Sequence, residues 1–193
     1  MATITKAEIL AVVNKRLNRS ETDIDEEIRS ILYDISSRAD FLKKEGTRNT
    51  VKSRAYYSVP DDFKDKLVIK IDDSEPLDRI TFAEYQQKIA DDTSESEPTD
   101  FALHDDFIWL YPTPDAVYEM TLYYAIYHPN NVANILFGEQ FRECIYKGVL
   151  MEVCNGYELY DAGDKWEIKY EREILKREMN LEKDPAIVKY RDF

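Results

Sequence analysis

Hydrophobic positions recur at helical spacing near the two ends of this chain and in short, interrupted runs through its middle, and that contrast predicts its organisation. Thr5-Lys6-Ala7-Glu8 has the form of a capping box, and Ile9, Leu10, Val12, Val13 and Leu17 follow on one helix, predicted from about Lys6 to Asn18. Thr22-Asp23-Ile24-Asp25 offers a second start, with acids where the helix dipole favours them. Ile24, Ile28, Ile31, Leu32, Ile35, Ala39 and Leu42 then form one stripe, and Gly46 after Lys43 and Lys44 predicts the end of that helix. These elements make up an N-terminal helical segment, 1–46.

From 47 to 131 the pattern changes to β-branched and aromatic runs broken by Pro, Asp and Asn, which predicts a β-rich insertion. Strands are expected near Val51 to Val59, Lys66 to Ile71, Phe101 to Leu103, Phe107 to Tyr111 and Val117 to Tyr127, with a short helix from about Ala83 to Ile89. His104-Asp105-Asp106 reads as a hairpin turn. Residues 91–100 carry five acids, no base and no large apolar side chain, so an exposed, mobile loop is expected there. In the last strand Tyr118, Met120, Leu122, Tyr124 and Ile126 share one face, while Tyr123 and Tyr127 make the other face large as well. Tyr123 and Tyr127 are therefore candidates for contact with another subunit.

Helical spacing returns in 132–183. Phe137, Phe141, Cys144, Ile145, Gly148, Val149, Glu152 and Val153 lie on a nearly uncharged face. Asp161-Ala162-Gly163-Asp164 reads as a break and a new cap, followed by a highly charged helix with Trp166, Tyr170, Ile174 and Leu181 as its apolar contacts. In the last segment, 184–193, Pro185 breaks the helix. Ile187, Val188, Tyr190 and Phe193 are left there as anchors with no obvious burial site in their own chain, which points to an extended, partner-docking tail. The expected fold class is α+β: a helical bundle formed by the N- and C-terminal helices, an inserted β-rich subdomain and that tail.

Composition supports a folded chain. Of 193 residues 44% are hydrophobic and 12% aromatic, with only 5 Gly and 7 Pro, enough for a core without disulfides. The 14 tyrosines suit either strands or interfaces. Net charge is -13, which disfavours nonspecific binding to nucleic acid or anionic membranes. The acidity is local: 7 basic residues stand against 17 acidic ones in 51–131, whereas 1–50 carries 9 of each. Cys144 and Cys154 fall on one predicted helix about 15 Å apart, too far to pair, and are read as buried free thiols made in a reducing compartment. No stretch reaches the ~20 apolar residues of a membrane span and no signal sequence opens the chain, so a soluble, unexported protein is expected.

Chemistry finds little support. A catalytic triad or dyad needs a histidine as base, and the two present, His104 and His128, both fall at predicted turns. The pairs Asp61-Asp62, Asp72-Asp73, Asp91-Asp92 and Asp105-Asp106 lack the alternating acids and central glycine of a calcium loop, and read as solvated turns. There is no GxxxxGK[ST], GxGxxG or CxxC motif. Lys15, Arg16, Arg19, Arg172, Lys176 and Arg177 are interleaved with acids and read as solvated helix faces rather than a DNA-binding row. No catalytic residue, metal ligand or cofactor is expected.

Several segments occur in a distinctive order: the N-terminal helix pair, Tyr56-Tyr57-Ser58-Val59-Pro60-Asp61-Asp62-Phe63, Glu75-Pro76-Leu77-Asp78-Arg79-Ile80-Thr81, Phe107-Ile108-Trp109-Leu110-Tyr111-Pro112-Thr113-Pro114, Tyr123-Tyr124-Ala125-Ile126-Tyr127 and the closing helices. As a set they resemble the head-to-tail adaptor (connector) proteins of tailed bacteriophages, over about residues 5 to 183. The long acidic 91–100 loop and the aromatic last strand depart from that pattern. The resemblance implies a non-enzymatic virion protein of the neck, made in the host cytoplasm. It implies a ring, dodecameric by that likeness, below the portal protein, which extends the DNA channel and offers a docking surface to downstream tail or neck proteins. Genomic DNA would pass without sequence-specific binding, and no membrane is involved. The resemblance also implies that the 184–193 tail, with Pro185, Ile187, Val188, Tyr190 and Phe193, docks on the portal. Another neck or tail-completion protein, or a carboxylate- and metal-dependent hydrolase, are the competing expectations.

Overall fold

Thr5 is an N-cap whose hydroxyl accepts from the Glu8 amide while the Glu8 carboxylate accepts from the Thr5 amide, and this capping box starts α1, Lys6–Leu17. It belongs to a computed structural model that describes residues 4–181. Asn18 closes α1 at φ 52°, a left-handed position that asparagine tolerates. α2, Asp25–Arg38, starts from Ile24, with the Asp25 amide donating to the Asp23 carboxylate at 3.1 Å. Ile28, Ile31, Leu32 and Ile35 are buried along it as their spacing predicts.

The second helix ends earlier than expected. After Ala39 the chain is extended, and Lys43–Asn49 forms β1, so Gly46 sits inside a strand rather than beyond a helix. This strand, KKEGTRN, has no large apolar side chain, and it is held by backbone pairing to a neighbour rather than by a buried face. The expected strand from Val51 to Val59 contracts to β2, Tyr56–Ser58. Residues 51–54 instead form a loop whose Val51 amide donates to the Tyr57 hydroxyl at 2.9 Å, while that hydroxyl donates to the Arg54 carbonyl, also at 2.9 Å.

β3 is Phe63–Ile71, β4 Asp78–Arg79, α3 Phe82–Asp91, β5 Asp100–His104, β6 Phe107–Tyr111 and β7 Glu119–Ile126. α4 is Arg142–Gly156 and α5 Tyr160–Leu181, with a short 3-10 turn, Glu139–Phe141, before α4. The described residues are thus mixed helix and sheet, an α+β chain.

They divide into two compact units, 4–42 with 127–181, and 43–126. The boundaries lie four and five residues before the edges read from the sequence, because β1 draws Lys43 into the sheet and Tyr127 leaves it. Residues 1–3 and 182–193, which take in the end of the expected 132–183 segment and the whole expected 184–193 tail, lie outside the described residues.

In the 43–126 unit, β1, β7 and β3 form an antiparallel sheet with β7 in the centre. Register shifts interrupt β3 between Phe63 and Val68, and Lys66 there has φ 54°. The second sheet has the order β2-β6-β5-β4, antiparallel except for the β4–β5 pair. β5 and β6 form the expected hairpin: His104 pairs with Phe107 across Asp105 and Asp106, both at positive φ. Met120, Leu122, Tyr124 and Ile126 are buried on one face of β7 as predicted, whereas Tyr118, expected on that face, precedes the strand and is only half-buried, and Val117 is exposed.

The acidic 92–99 segment is largely exposed, yet it is tied down rather than loose. Pro98 is buried, the Ser96 amide donates to the Thr113 carbonyl at 3.0 Å, and Ser53 donates to the Glu95 carboxylate at 3.1 Å. Asp100 opens β5 and meets Lys88 at 3.0 Å.

In the 4–42 and 127–181 unit, α4 is packed against α1, α2 and α5. The helix expected after Asn131 begins only at Arg142; Ile135 and Phe137 are buried from non-helical chain ahead of it. Gly148 lets α4 approach α2, since a Cβ there would lie 2.8 Å from two carbons of Ile31. The break placed at Asp161–Asp164 falls earlier, at Tyr157 to Leu159 with Glu158 at φ 57°. Asp161 to Asp164 are the first turns of α5, where Gly163 is buried and a Cβ would run into the Asn155 amide oxygen.

Candidate functional site

The side chains singled out for chemistry are occupied by structure. His104 stacks on Phe82, ring centroids 3.9 Å apart, on an exposed hairpin. Cys144 and Cys154 are buried within α4; burial pushes the Cys144 thiol up to about 12 and raises that of Cys154, so neither is a ready thiolate. The aspartate pairs act as turn and ion-pair residues. Asp62 receives the Tyr124 hydroxyl at 2.9 Å and Lys44 at 2.5 Å, Asp72 takes the Glu119 amide, and Asp92 takes the Ser94 amide. Burial opposes the charge on Asp62, but these two donors outweigh it and lower its pKa. Among the described residues no three His, Cys, Asp or Glu side chains converge to hold a metal ion.

The basic residues considered for DNA are largely engaged within the chain. Arg19 lies 3.7 Å from the Tyr157 ring centroid, and Arg16 is over Trp166 at 5.5 Å and 4.0 Å from Glu143. Lys176 and Arg177 both reach Glu173, at 3.1 and 4.0 Å. Between α2 and α5, Arg38 makes two 2.7 Å bonds to Glu171 and one of 2.9 Å to Asp34, and the buried Tyr170 hydroxyl donates to Asp34 at 2.5 Å.

What the molecule offers outward is apolar and aromatic surface. In the 43–126 unit, α3 lies on β5 and β6, and Phe82 and Tyr85 meet Trp109, which also touches Tyr56. Tyr56 and Phe107 are exposed at the edge of this cluster, and the buried Trp109 Nε1 has no hydrogen-bond partner there. Tyr123 is half-buried on β7, opposite Glu45 on one side and Val68 on the other.

Tyr127 parts from Tyr123. It lies beyond β7, in the other unit, and stacks on Tyr33 of α2 at 5.4 Å and 16°. The two rings line an open groove of about 510 Å³, with Arg29, Ser30 and Tyr33 on the α2 wall and Tyr127 to Asn130 opposite. His128 fixes that second wall. Its backbone amide donates to Ser36 Oγ at 3.0 Å, its Nδ1–H donates to the Pro129 carbonyl at 2.7 Å, and its Nε2 accepts the Leu136 amide at 3.1 Å. The turn at His128 is where the sequence puts it, ahead of Pro129, but nothing in the alternation of β7 marks the groove. The residues proposed for partner docking, Pro185, Ile187, Val188, Tyr190 and Phe193, lie outside the described residues.

Burial lowers the His128 pKa from its ordinary 6.5, and protonating Nε2 removes the acceptor that the Leu136 amide uses. A group whose folded pKa is depressed by burial of its neutral form stabilises fully above the unfolded value. The contribution is therefore lost as pH falls below about 6.5 and through the folded pKa. Urea melts at pH 7.5 and 5.5 should show a larger loss for the wild type than for His128→Gln. Equal losses would show that His128 does not titrate with folding.

A family model described as SU10 adaptor protein matches residues 4–189. No curated protein matches the chain.

Proposed function

The chain belongs to the SU10 adaptor protein family, and on that premise we propose that it serves as a phage head-to-tail adaptor, a structural protein of the virion neck that joins the portal to the tail. The observation that carries this reading is the family match over residues 4–189, which takes in every described element and continues into the apolar tail. The surfaces agree with an assembly role: tyrosine-rich and aliphatic side chains are exposed, while the histidines and thiols are held by structure.

In this reading copies of the chain form a ring, dodecameric in the fuller form, below the portal. Their C-terminal helices join the N-terminal pair in one bundle, and Tyr123 and Tyr127 are candidates for the subunit boundary. The tail docks on the portal through Pro185, Ile187, Val188, Tyr190 and Phe193. The acids of the 43–126 unit line the DNA channel and repel phosphates, so DNA slides without adhering. The lower face receives downstream tail or neck proteins. Deleting 184–193 should abolish binding to purified portal while leaving the thermal melt of the remaining chain unchanged. Undiminished portal binding by the truncated chain would overturn tail docking.

A further inference from the structure

Residues 127–138 run from the end of β7 to the 3-10 turn at Glu139 without forming a helix or a strand. They include no Asp, Glu, Lys or Arg, so His128 is the one side chain among them whose charge changes between pH 5 and 8. The segment is nevertheless well packed. Ile135 and Phe137 are buried, and so is His128, at 6% exposure. The Phe137 ring stacks on the imidazole with centroids 5.6 Å apart and meets Phe141 at 4.8 Å.

The hydrogen bonds of this segment fall into two kinds. The Asn131, Ala133 and Asn134 amides donate to acceptors within residues 129–131, which closes a local turn and anchors it to nothing beyond. The longer ties pass through His128. Its Nε2 accepts from the Leu136 amide, eight residues on, and its own amide donates to Ser36 Oγ on α2. A backbone N–H can only donate, so the Leu136 bond requires Nε2 without a proton. Nδ1 then carries the proton and donates it to the Pro129 carbonyl. A second proton has Nε2 as its only place to go, where it would set one donor against another.

No neighbour offsets the charge that such a proton brings. α2 presents Arg29 and Tyr33 to the groove beside His128, Tyr127 precedes it, and Glu139 of the 3-10 turn is engaged by Arg142 at 2.7 Å. The Arg29 guanidinium opposes a second cation, and among the described residues no carboxylate acts on the ring. The helices, by contrast, do not depend on the segment. α4 is seated on α2 at Gly148 and Ile31, and α5 is joined to α2 through Tyr170, Asp34, Arg38 and Glu171.

We infer that His128 is an acid-released latch: a proton gained at Nε2 breaks the Leu136 bond and frees residues 129–138, uncovering Ile135 and Phe137 while α2, α4 and α5 stay folded. The latch is a property of the fold and holds whether or not the adaptor reading does. Once released, the imidazole returns to its ordinary pKa of 6.5. Between pH 7.5 and 5.5 the released state therefore gains up to about tenfold over the latched one, as each pH unit below that value is worth tenfold.

Amide exchange of the full chain, resolved by residue in NMR and corrected for intrinsic rates at pH 7.5 and 5.5, reads this directly. Protection at Leu136 should fall several-fold, with about tenfold as the ceiling, while amides in the middle of α2 and α4 keep theirs. His128→Gln has no proton to gain there, so its Leu136 amide should be equally protected at both pH values. The imidazole can also be followed in the wild type through its ring resonances, and should titrate below 6.5.

Unchanged protection at Leu136 in the wild type, or a parallel loss throughout α2 and α4, would overturn the latch. So would a pH response kept by His128→Gln, or a ring titration at or above 6.5. If the glutamine variant fails to fold, the wild-type exchange and ring titration decide between the two outcomes by themselves.

Discussion

Tyr170→Ala is expected to cost about 4 kcal/mol of unfolding free energy, a large part of what holds a domain of this size folded. Tyr170 is 1% exposed, and it joins α5 to α2 in two ways: its ring fills the interior and its hydroxyl donates to Asp34 at 2.5 Å. Burial together with the neighbouring carboxylate raises its pKa well above the ordinary phenol range, so it acts only as a donor. The alanine variant loses the ring and leaves a cavity, and it strands Asp34 with Arg38 alone. Tyr170→Phe keeps the ring and isolates the hydroxyl, with an expected cost of about 1 to 2 kcal/mol. Urea unfolding of the three proteins at one pH separates the terms. A phenylalanine variant as stable as the wild type would mean that the Asp34 bond contributes nothing net.

The second large effect concerns helix approach. Alanine is a better helix former than glycine by about 1 kcal/mol, so propensity alone predicts that Gly148→Ala stabilises α4. Packing predicts the opposite sign. The added methyl would stand 2.8 Å from Cδ1 and Cγ2 of Ile31, which is itself buried, and overpacking of this kind costs about 1 to 3 kcal/mol. We expect net destabilisation by Gly148→Ala, and a loss of several kcal/mol, enough to prevent folding, for Gly148→Leu. Shortening the partner with Ile31→Val should make the alanine variant cheaper than the sum of the two single changes. Additivity, or a stabilised Gly148→Ala, would show that α2 gives way without cost.

The helical parts of this fold are legible because their signals are local and redundant. Thr5 and Glu8 state the start of α1 twice over, and the isoleucines of α2 repeat at a spacing that only a helix buries on one side. The β5–β6 hairpin is legible for the same reason, through two aspartates that tolerate positive φ between apolar runs. β1 is hidden because Lys43–Asn49 owes its strand state to a partner 70 or more residues away in the chain. No alternation is imposed on a strand with no buried face of its own.

The groove was equally hidden. Tyr33 stands outside the apolar stripe of α2, Tyr127 is read as the end of a strand and a candidate subunit contact, and only their stacking creates a lining.

The 43–126 unit begins and ends on adjacent strands, with Lys43 directly paired to Ala125 in the β1–β7 ladder. A module whose entrance and exit lie side by side can be acquired or discarded as a single cassette, with no threading and no rearrangement of its own hydrogen bonds. The acidic surface is carried mainly on this cassette, so replacing 43–126 whole would change the charge character of the chain while leaving the sequence of the helical unit intact.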